Sequence, residues 1–289
     1  MNSIHVTCSR RKALQTIGLL GIAAAAPGSI AAAEREKAAS QVSDQDIFNF
    51  ALNLESLETE YYLRGTAGKG MGDADGGKNP GPVTGGTLVP WQNQDLRQFM
   101  DEVAANELAH VRYYRRVLGD KAVSRPAIDL TAFAAAAKAA GLGEGFDPFA
   151  NEMNFFLGGM LMEDVGVTAY HGAAALIKKK EFLDAAAGIL AVEAYHMGMA
   201  RSVLYQMGPE ARHAANALSD ARDKLDGPTD VDQGIEVDGK ANFVPSTPDG
   251  IAFSRTPQQV LRIVYLADES GVSKGGLFPE GMNGNLKTT

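Results

Sequence analysis

Four segments of this chain read as helices of roughly 20–30 residues, each with a carboxylate near its middle among apolar neighbours. They run from Ser43 or Asp44 to Arg64, from near Asn93 to Leu118, from Asp147-Pro148 to about Ile177, and from about Lys180 to the Gly208-Pro209 break. Gly65 and Gly119 read as C-terminal caps. Asp147-Pro148 reads as a cap residue with proline in the first helical position. At 1.5 Å per residue these helices are roughly 30–45 Å long. Strand-like alternation is nearly absent, so the chain is expected to be all-α, an antiparallel four-helix bundle.

The chemistry lies at mid-helix. The second helix contains Glu107-Leu108-Ala109-His110 and the fourth contains Glu193-Ala194-Tyr195-His196. Residues three apart share a helix face, so each pair aims a carboxylate and an imidazole at one point. The first helix offers Glu55 and the third Glu163, each followed two turns later on the same face by a tyrosine, Tyr62 or Tyr170. The chain thus carries one pattern twice, a lone Glu and then Glu-x-x-His. Four carboxylates and two neutral imidazoles carry −4, which two divalent ions balance; this is the ligand set of a dinuclear carboxylate site.

Burial strengthens the argument. Between Phe155 and Tyr170 the only charged residues are Glu163 and Asp164, and between Ala185 and Ala200 the only charged or imidazole side chains are Glu193 and His196. Helices this apolar are expected to be packed on nearly all sides. An ionised carboxylate there needs a partner or stays protonated. Cations are one solution; a core of hydrogen-bonded or protonated side chains is the other. A lone Glu-x-x-His means little: Glu210-Ala211-Arg212-His213 also fits, in a polar stretch after the Gly-Pro break, and is taken as accidental.

Glu58 is open between a second inward carboxylate and a solvated residue, and Glu60 is expected at the surface. His171 and Asp164 read as outer-face residues or supports rather than ligands. Tyr62, Tyr114 and Tyr170 read as packing residues rather than redox groups, Met153, Met160, Met162, Met197 and Met199 as core filler, and the basic clusters Arg112–Arg116 and Lys178–Lys180 as solvated helix faces or ends.

The remaining segments are looser. Residues 65–90 form a Gly- and Pro-rich loop, for which a lid is one role. Residues 119–146 are long enough to cross the bundle, with a short helix over Thr131–Ala140. A helix is expected over Glu210–Lys224 and another from the capping box Thr256-Pro257-Gln258-Gln259, before a Gly-rich tail. The expected organisation is a leader over 1–33, a bundle over 34–210, and an appendage over 211–289 packed on it.

The leader reading rests on Arg10-Arg11-Lys12 ahead of a weakly apolar stretch, Leu14–Ala26, and small residues Ala31-Ala32-Ala33 before Glu34. This resembles a twin-arginine export signal, which implies a translocase partner, a periplasmic or otherwise exported destination, and folding before export. Cys8 precedes the apolar stretch and is misplaced for lipid attachment. Removing residues 1–33 takes three basic residues and no acidic one, moving the formal charge from −8 to −11. It also removes the only cysteine, which excludes disulfides and thiolate sites from the mature chain. The acidic balance argues against a nucleic-acid partner. No apolar run reaches the roughly 18 residues of a membrane span.

The segments Asp46–Tyr62 (DIFNFALNLESLETEYY), Phe146–Ala175 (FDPFANEMNFFLGGMLMEDVGVTAYHGAAA) and Ala185–Tyr205 (AAAGILAVEAYHMGMARSVLY), with the later QQVLRIVY and GGLFPEGMNG, resemble the ferritin-like superfamily, and within it the exported, desiccation-related branch. The resemblance implies a ferritin-like bundle and a dinuclear iron or manganese centre. Glu55 and Glu163 would be terminal or bridging carboxylates, Glu107 and Glu193 bridges, and His110 and His196 would bind one ion each. Redox turnover of dioxygen or peroxide in stress protection is the implied chemistry. The extended Gly-rich loop departs from the family pattern. A non-catalytic stress or envelope protein is the alternative, and iron storage is disfavoured by the long loops and the appendage. The oligomeric state stays open, a homodimer included.

Overall fold

The structure, a computed structural model, describes residues 42–289; the leader and its export signal lie outside the described residues. The described chain is mainly helical, with four long helices and a helical C-terminal segment packed into one unit. The long helices are α1 (Asp44–Ala67), α3 (Gln94–Leu118), α5 (Glu152–Ala174) and α6 (Lys180–Gln206), with the short α2 (Asp73–Gly76) and α4 (Phe133–Ala139) in the connections. The appendage carries α7 (Pro209–Asp226) and α8 (Pro257–Tyr265). α1 packs along α3, and α5 along α6; contacts between the two pairs are sparser. No described helix is long and apolar enough to cross a membrane.

Local chemistry explains the helix ends. Ser43 and Asp46 form a reciprocal capping box at the start of α1. The helix ends one turn later than Gly65 suggested, at Gly68, whose φ of 71° is left-handed. Gly65 serves packing instead: a Cβ there would lie 2.1 Å from the Phe155 ring of α5. α5 likewise starts later than Asp147-Pro148. The Asp147 carboxylate accepts from Phe149 N in a turn, and Asn151 caps the helix by accepting from Asn154 N. α5 also ends at Ala174, short of Ile177. The capping box of α8 forms as expected, with Thr256 and Gln259 exchanging bonds.

α1 and α5 are buried on nearly all sides, but α6 is not. Tyr195 is 78% exposed, and Leu183, Ala191 and Ala194 also face outward. Alanine leaves little apolar surface in water, so an apolar composition here does not mean full burial. The Gly-rich loop is tied down. Its strand β1 (Val83–Thr84) pairs in parallel with β2 (Ile128–Asp129) of the α3–α5 connection. Gly81 passes so close to that connection that a Cβ would lie 2.3 Å from Ala127 N. Glu60, expected at the surface, is fully buried where Arg64 and Arg125 pair with its two oxygens. Its counter-charge comes from the distant Arg125, which helix spacing does not reveal. Arg112 and Arg115 are also engaged by this loop, through the carboxylate and carbonyl of Asp75.

The appendage is held by buried charge. Arg201 and Arg222 each donate to Asp164 Oδ2 at 2.8 Å; Arg222 and Arg255 pair with Asp232, and Arg255 Nε donates to Asp226 at 2.7 Å. Asp164 therefore faces the guanidinium groups of α6 and α7, and these in turn hold the 226–255 segment, Arg222 through Asp232 and Arg201 through the carbonyls of Gln233, Gly234 and Asn242. Burial alone would raise its carboxyl, but the two guanidinium charges and their hydrogen bonds hold it below the usual range. The tail then returns along α1, where Asn53 and Asn283 exchange bonds at 2.9 Å. A second small hairpin, β3 (Glu236–Val237) and β4 (Lys240–Ala241), lies between α7 and α8 in sequence.

Candidate metal centre

The six expected side chains meet between the four long helices. Glu55 comes from α1, Glu107 and His110 from α3, Glu163 from α5, and Glu193 and His196 from α6, and all six are buried. Two overlapping groups could each hold an ion: Glu55, Glu107, His110 and Glu193, and Glu107, Glu163, Glu193 and His196. Within each, one donor atom per residue lies within 4.8 Å of the others. Glu107 and Glu193 belong to both groups, Glu55 and Glu163 to one each.

Nδ1 is the inward nitrogen of both histidines. His110 Nδ1 lies 3.0 Å from Glu55 Oε2, 3.5 Å from Glu107 Oε2 and 3.7 Å from Glu193 Oε1. His196 Nδ1 lies 2.9 Å from Glu107 Oε1 and 3.4 Å from Glu163 Oε2. On the other edge of that ring, Nε2 is 3.3 Å from the Asn106 amide. If Nδ1 gives its lone pair to an ion, Nε2 carries the proton and the amide turns its oxygen to accept it.

Both oxygens of Glu107 and Glu193, Oε2 of Glu163 and Nδ1 of His196 are buried and have no hydrogen-bond partner. Buried acceptors without donors are costly, and several aimed at one point are the arrangement a cation relieves. Without cations the carboxylates disturb one another. Burial pushes Glu55 up to about 7 despite the opposing pull of His110. Burial and the surrounding carboxylates push Glu193 and Glu58 well above the usual range, and burial raises Glu163. Glu107 goes the other way, to about 2: burial opposes its charge, but the two imidazoles beside it outweigh that. The histidines mirror it. Burial disfavours their charge, yet the adjacent carboxylates raise His110 to about 11 and His196 to about 10.

The tyrosines are more than packing. Tyr62 of α1 donates to Glu163 Oε1 of α5 at 2.5 Å, Tyr170 of α5 donates to Glu55 Oε1 of α1, and the Tyr114 and Tyr170 hydroxyls are 2.7 Å apart. Each lone glutamate is thus held by the tyrosine of the opposite helix. The seven-residue spacing placed each Tyr on the right face, but could not show that the partners cross over. Glu58 is an inward, buried carboxylate. Gly166 makes room for Glu193 beside it: a Cβ there would lie 2.3 Å from Glu193 Oε2, while Glu58 Oε1 would be in ordinary contact at 3.6 Å. Asn106 and Gly166 carry no signal in the sequence, since neither type nor spacing marks them as part of a centre. His171 bonds to the Phe253 carbonyl, and Glu210 and His213 are exposed on α7, away from any such group. A third acidic group, Asp223, Asp226 and Asp232, is neutralised at Asp226 and Asp232 by Arg222 and Arg255.

Known proteins resemble the chain over most of its length. The model of the ferritin-like domain matches residues 43–206. Desiccation-related protein PCC13-62 of Craterostigma plantagineum is 31% identical over 259 residues, covering 81% of each chain. Ferritin-like catalase Nec2 of Nesocodon mauritianus is 28% identical over 270 residues, covering 84% of this chain and 85% of the relative. No solved structure matches. The four long helices, the family match and these relatives together make the chain a member of the ferritin-like superfamily, in its desiccation-related branch.

Proposed function

We propose that the protein holds two iron or manganese ions and disproportionates peroxide, in a catalase-like reaction that consumes two molecules of hydrogen peroxide and releases dioxygen and two of water. The observation that carries this reading is the set of unpartnered buried lone pairs on Glu107, Glu163, Glu193 and His196, with Glu107 and Glu193 common to both groups. The name of one relative, a ferritin-like catalase, supports the choice of reaction.

A pair of redox-active ions supplies alternate storage and return of two electrons. The chain's own residues do the rest. His110 and His196 would give up their Nδ1 protons to bind metal, Tyr62 and Tyr170 hold one oxygen each of Glu163 and Glu55, and the appendage keeps bulk water from the α1–α5 side. Near Glu193, Glu58 adds a fifth buried carboxylate, which burial and the neighbouring carboxylates hold well above the usual range, so that it can keep a proton inside the bundle.

Elemental analysis of the native protein, followed on the same sample by dioxygen release from peroxide, tests the reading. Metal with dioxygen release supports it. Metal without release favours the second reading, a non-catalytic desiccation-related protein, which the name of the other relative suggests. Export by the twin-arginine route, after metal loading in the cytoplasm, belongs to the same proposal.

A further inference from the structure

The two sides of the centre differ in access. On the α1–α5 side, Glu58 and Gly166 face Ile263 and Val264 of α8 and Leu277 of the tail, and the space left is about 20 Å³. That is room for about one water. The appendage therefore closes this side. On the α3–α6 side lies a cavity of about 330 Å³, whose lining includes Val103, Asn106, Val192, Tyr195, His196 and Met199. The Gly-rich loop contributes nothing to that lining, so it is not a lid for this opening.

The cavity is amphiphilic in a directed way. Its polar groups are the exposed Glu102 carboxylate and, 3.3 Å apart, the Asn106 amide and the His196 ring, and His196 reaches the centre through its opposite nitrogen. Its walls are Val103, Val192 and Met199, and Phe99 and Tyr195 stand partly in water at 43% and 78% exposure. A volume near 300 Å³ falls in the range of small-molecule sites and far exceeds what hydrogen peroxide needs.

We infer that this α3–α6 cleft is the substrate site, and that it takes organic hydroperoxides, with the alkyl or aryl group against Val103, Val192 and Met199 and the O–OH end toward Asn106 and His196. This rests on the proposed dinuclear reading for its chemistry, but not for its binding. Reduction of one hydroperoxide breaks the O–O bond, takes two electrons and two protons, and gives an alcohol and water. A bound metal pair would supply the two electrons and regain them from hydrogen peroxide, whose oxidation to dioxygen releases two electrons and two protons, so that one hydroperoxide and one hydrogen peroxide give an alcohol, water and dioxygen.

Two measurements test it on the full chain. The first uses the metal-free protein and 2-phenyl-2-propanol, the redox-inert alcohol that corresponds to cumene hydroperoxide, followed by NMR. The Asn106 side-chain amide is expected to shift on titration, and Val192→Trp, which fills the cleft, to abolish the shift. The second uses metal-loaded protein in stopped flow with hydrogen peroxide and cumene hydroperoxide. Val192→Trp is expected to slow oxidation by cumene hydroperoxide at least about tenfold, to slow hydrogen peroxide far less, and to leave metal content unchanged; Met199→Ala, which widens the cleft, is expected to speed the bulky substrate. An alcohol that shifts no cleft residue, or equal slowing of both peroxides, overturns the inference. Alcohol binding in a protein that never takes up metal would instead overturn the dinuclear reading and leave the cleft as a binding site.

Discussion

Tyr62 donates to Glu163 Oε1 at 2.5 Å, so that Oε2 of the same carboxylate is left facing His196 Nδ1 at 3.4 Å. One oxygen is spent on orientation and the other is free for chemistry. Groups that orient ligands in this way are commonly worth 10–100-fold in metal affinity. Tyr62→Phe is therefore expected to fold, to keep both groups of ligands, and to bind metal about 10–100-fold more weakly by chelator competition. Unchanged affinity would show that the phenol only packs.

Loss of a shared carboxylate should do more than loss of an unshared one. Glu193→Ala removes a donor from both groups, and Glu163→Ala from one. Elemental analysis is expected to find neither ion firmly held in the first variant and about one in the second. His196→Ala is expected to behave like Glu163→Ala, since both serve the same group. Equal retention in all three variants would mean that the shared position of Glu193 has no consequence.

The effect of pH should have opposite signs with and without metal. Glu55 is raised to about 7, so its protonation stabilises the metal-free fold fully below its ordinary value of 4.5, and this is lost as pH rises through 7. Glu193 and Glu58, also raised, act in the same direction. The contributions of His110 and His196 are complete below 6.5, decline above it, and are gone by about pH 11 and 10. Glu107, held at about 2, contributes above 4.5 and loses that only as pH falls toward 2. Between about pH 5 and about pH 8 the metal-free protein should therefore lose stability as pH rises. Over that window the ligands shed their protons more readily, so metal binding strengthens. The gap in Tm between loaded and metal-free protein is expected to widen from the lower to the higher pH. A gap that narrows would contradict the proton accounting.

Asp164 tests the appendage separately from the centre. It is adjacent to Glu163 in sequence but faces Arg201 and Arg222. Asp164→Ala leaves two buried guanidinium groups without this shared carboxylate, which should destabilise the protein by about 3–5 kcal/mol in chemical denaturation. Metal content, measured where the variant is still folded, is expected to be unchanged. Loss of metal from a folded Asp164→Ala protein would show that the appendage network also shapes the ligands.

The helices and the inward carboxylates could be read from the chain because both depend on local rules: apolar runs, three-residue spacing and caps. What could not be read depends on partners far away in sequence. Glu60 looks like a surface acid until Arg125 is seen beside it, 65 residues on. Tyr62 and Tyr170 share a face with their own helix's glutamate, yet each serves the glutamate of the other helix. α6 looked buried from its alanines and proved half exposed, which is what leaves the cleft beside His196 open. Gly65 shows the same limit: as a cap it satisfied every local rule, and the Phe155 ring gave it another task.

The account depends most on cations satisfying the unpartnered lone pairs at the centre. Native protein prepared from cells grown with ample iron and manganese, then stripped of loosely held ions, should contain about two of these ions per chain by elemental analysis. Folded protein that contains none, and takes up none when offered either metal in its reduced form, would contradict it.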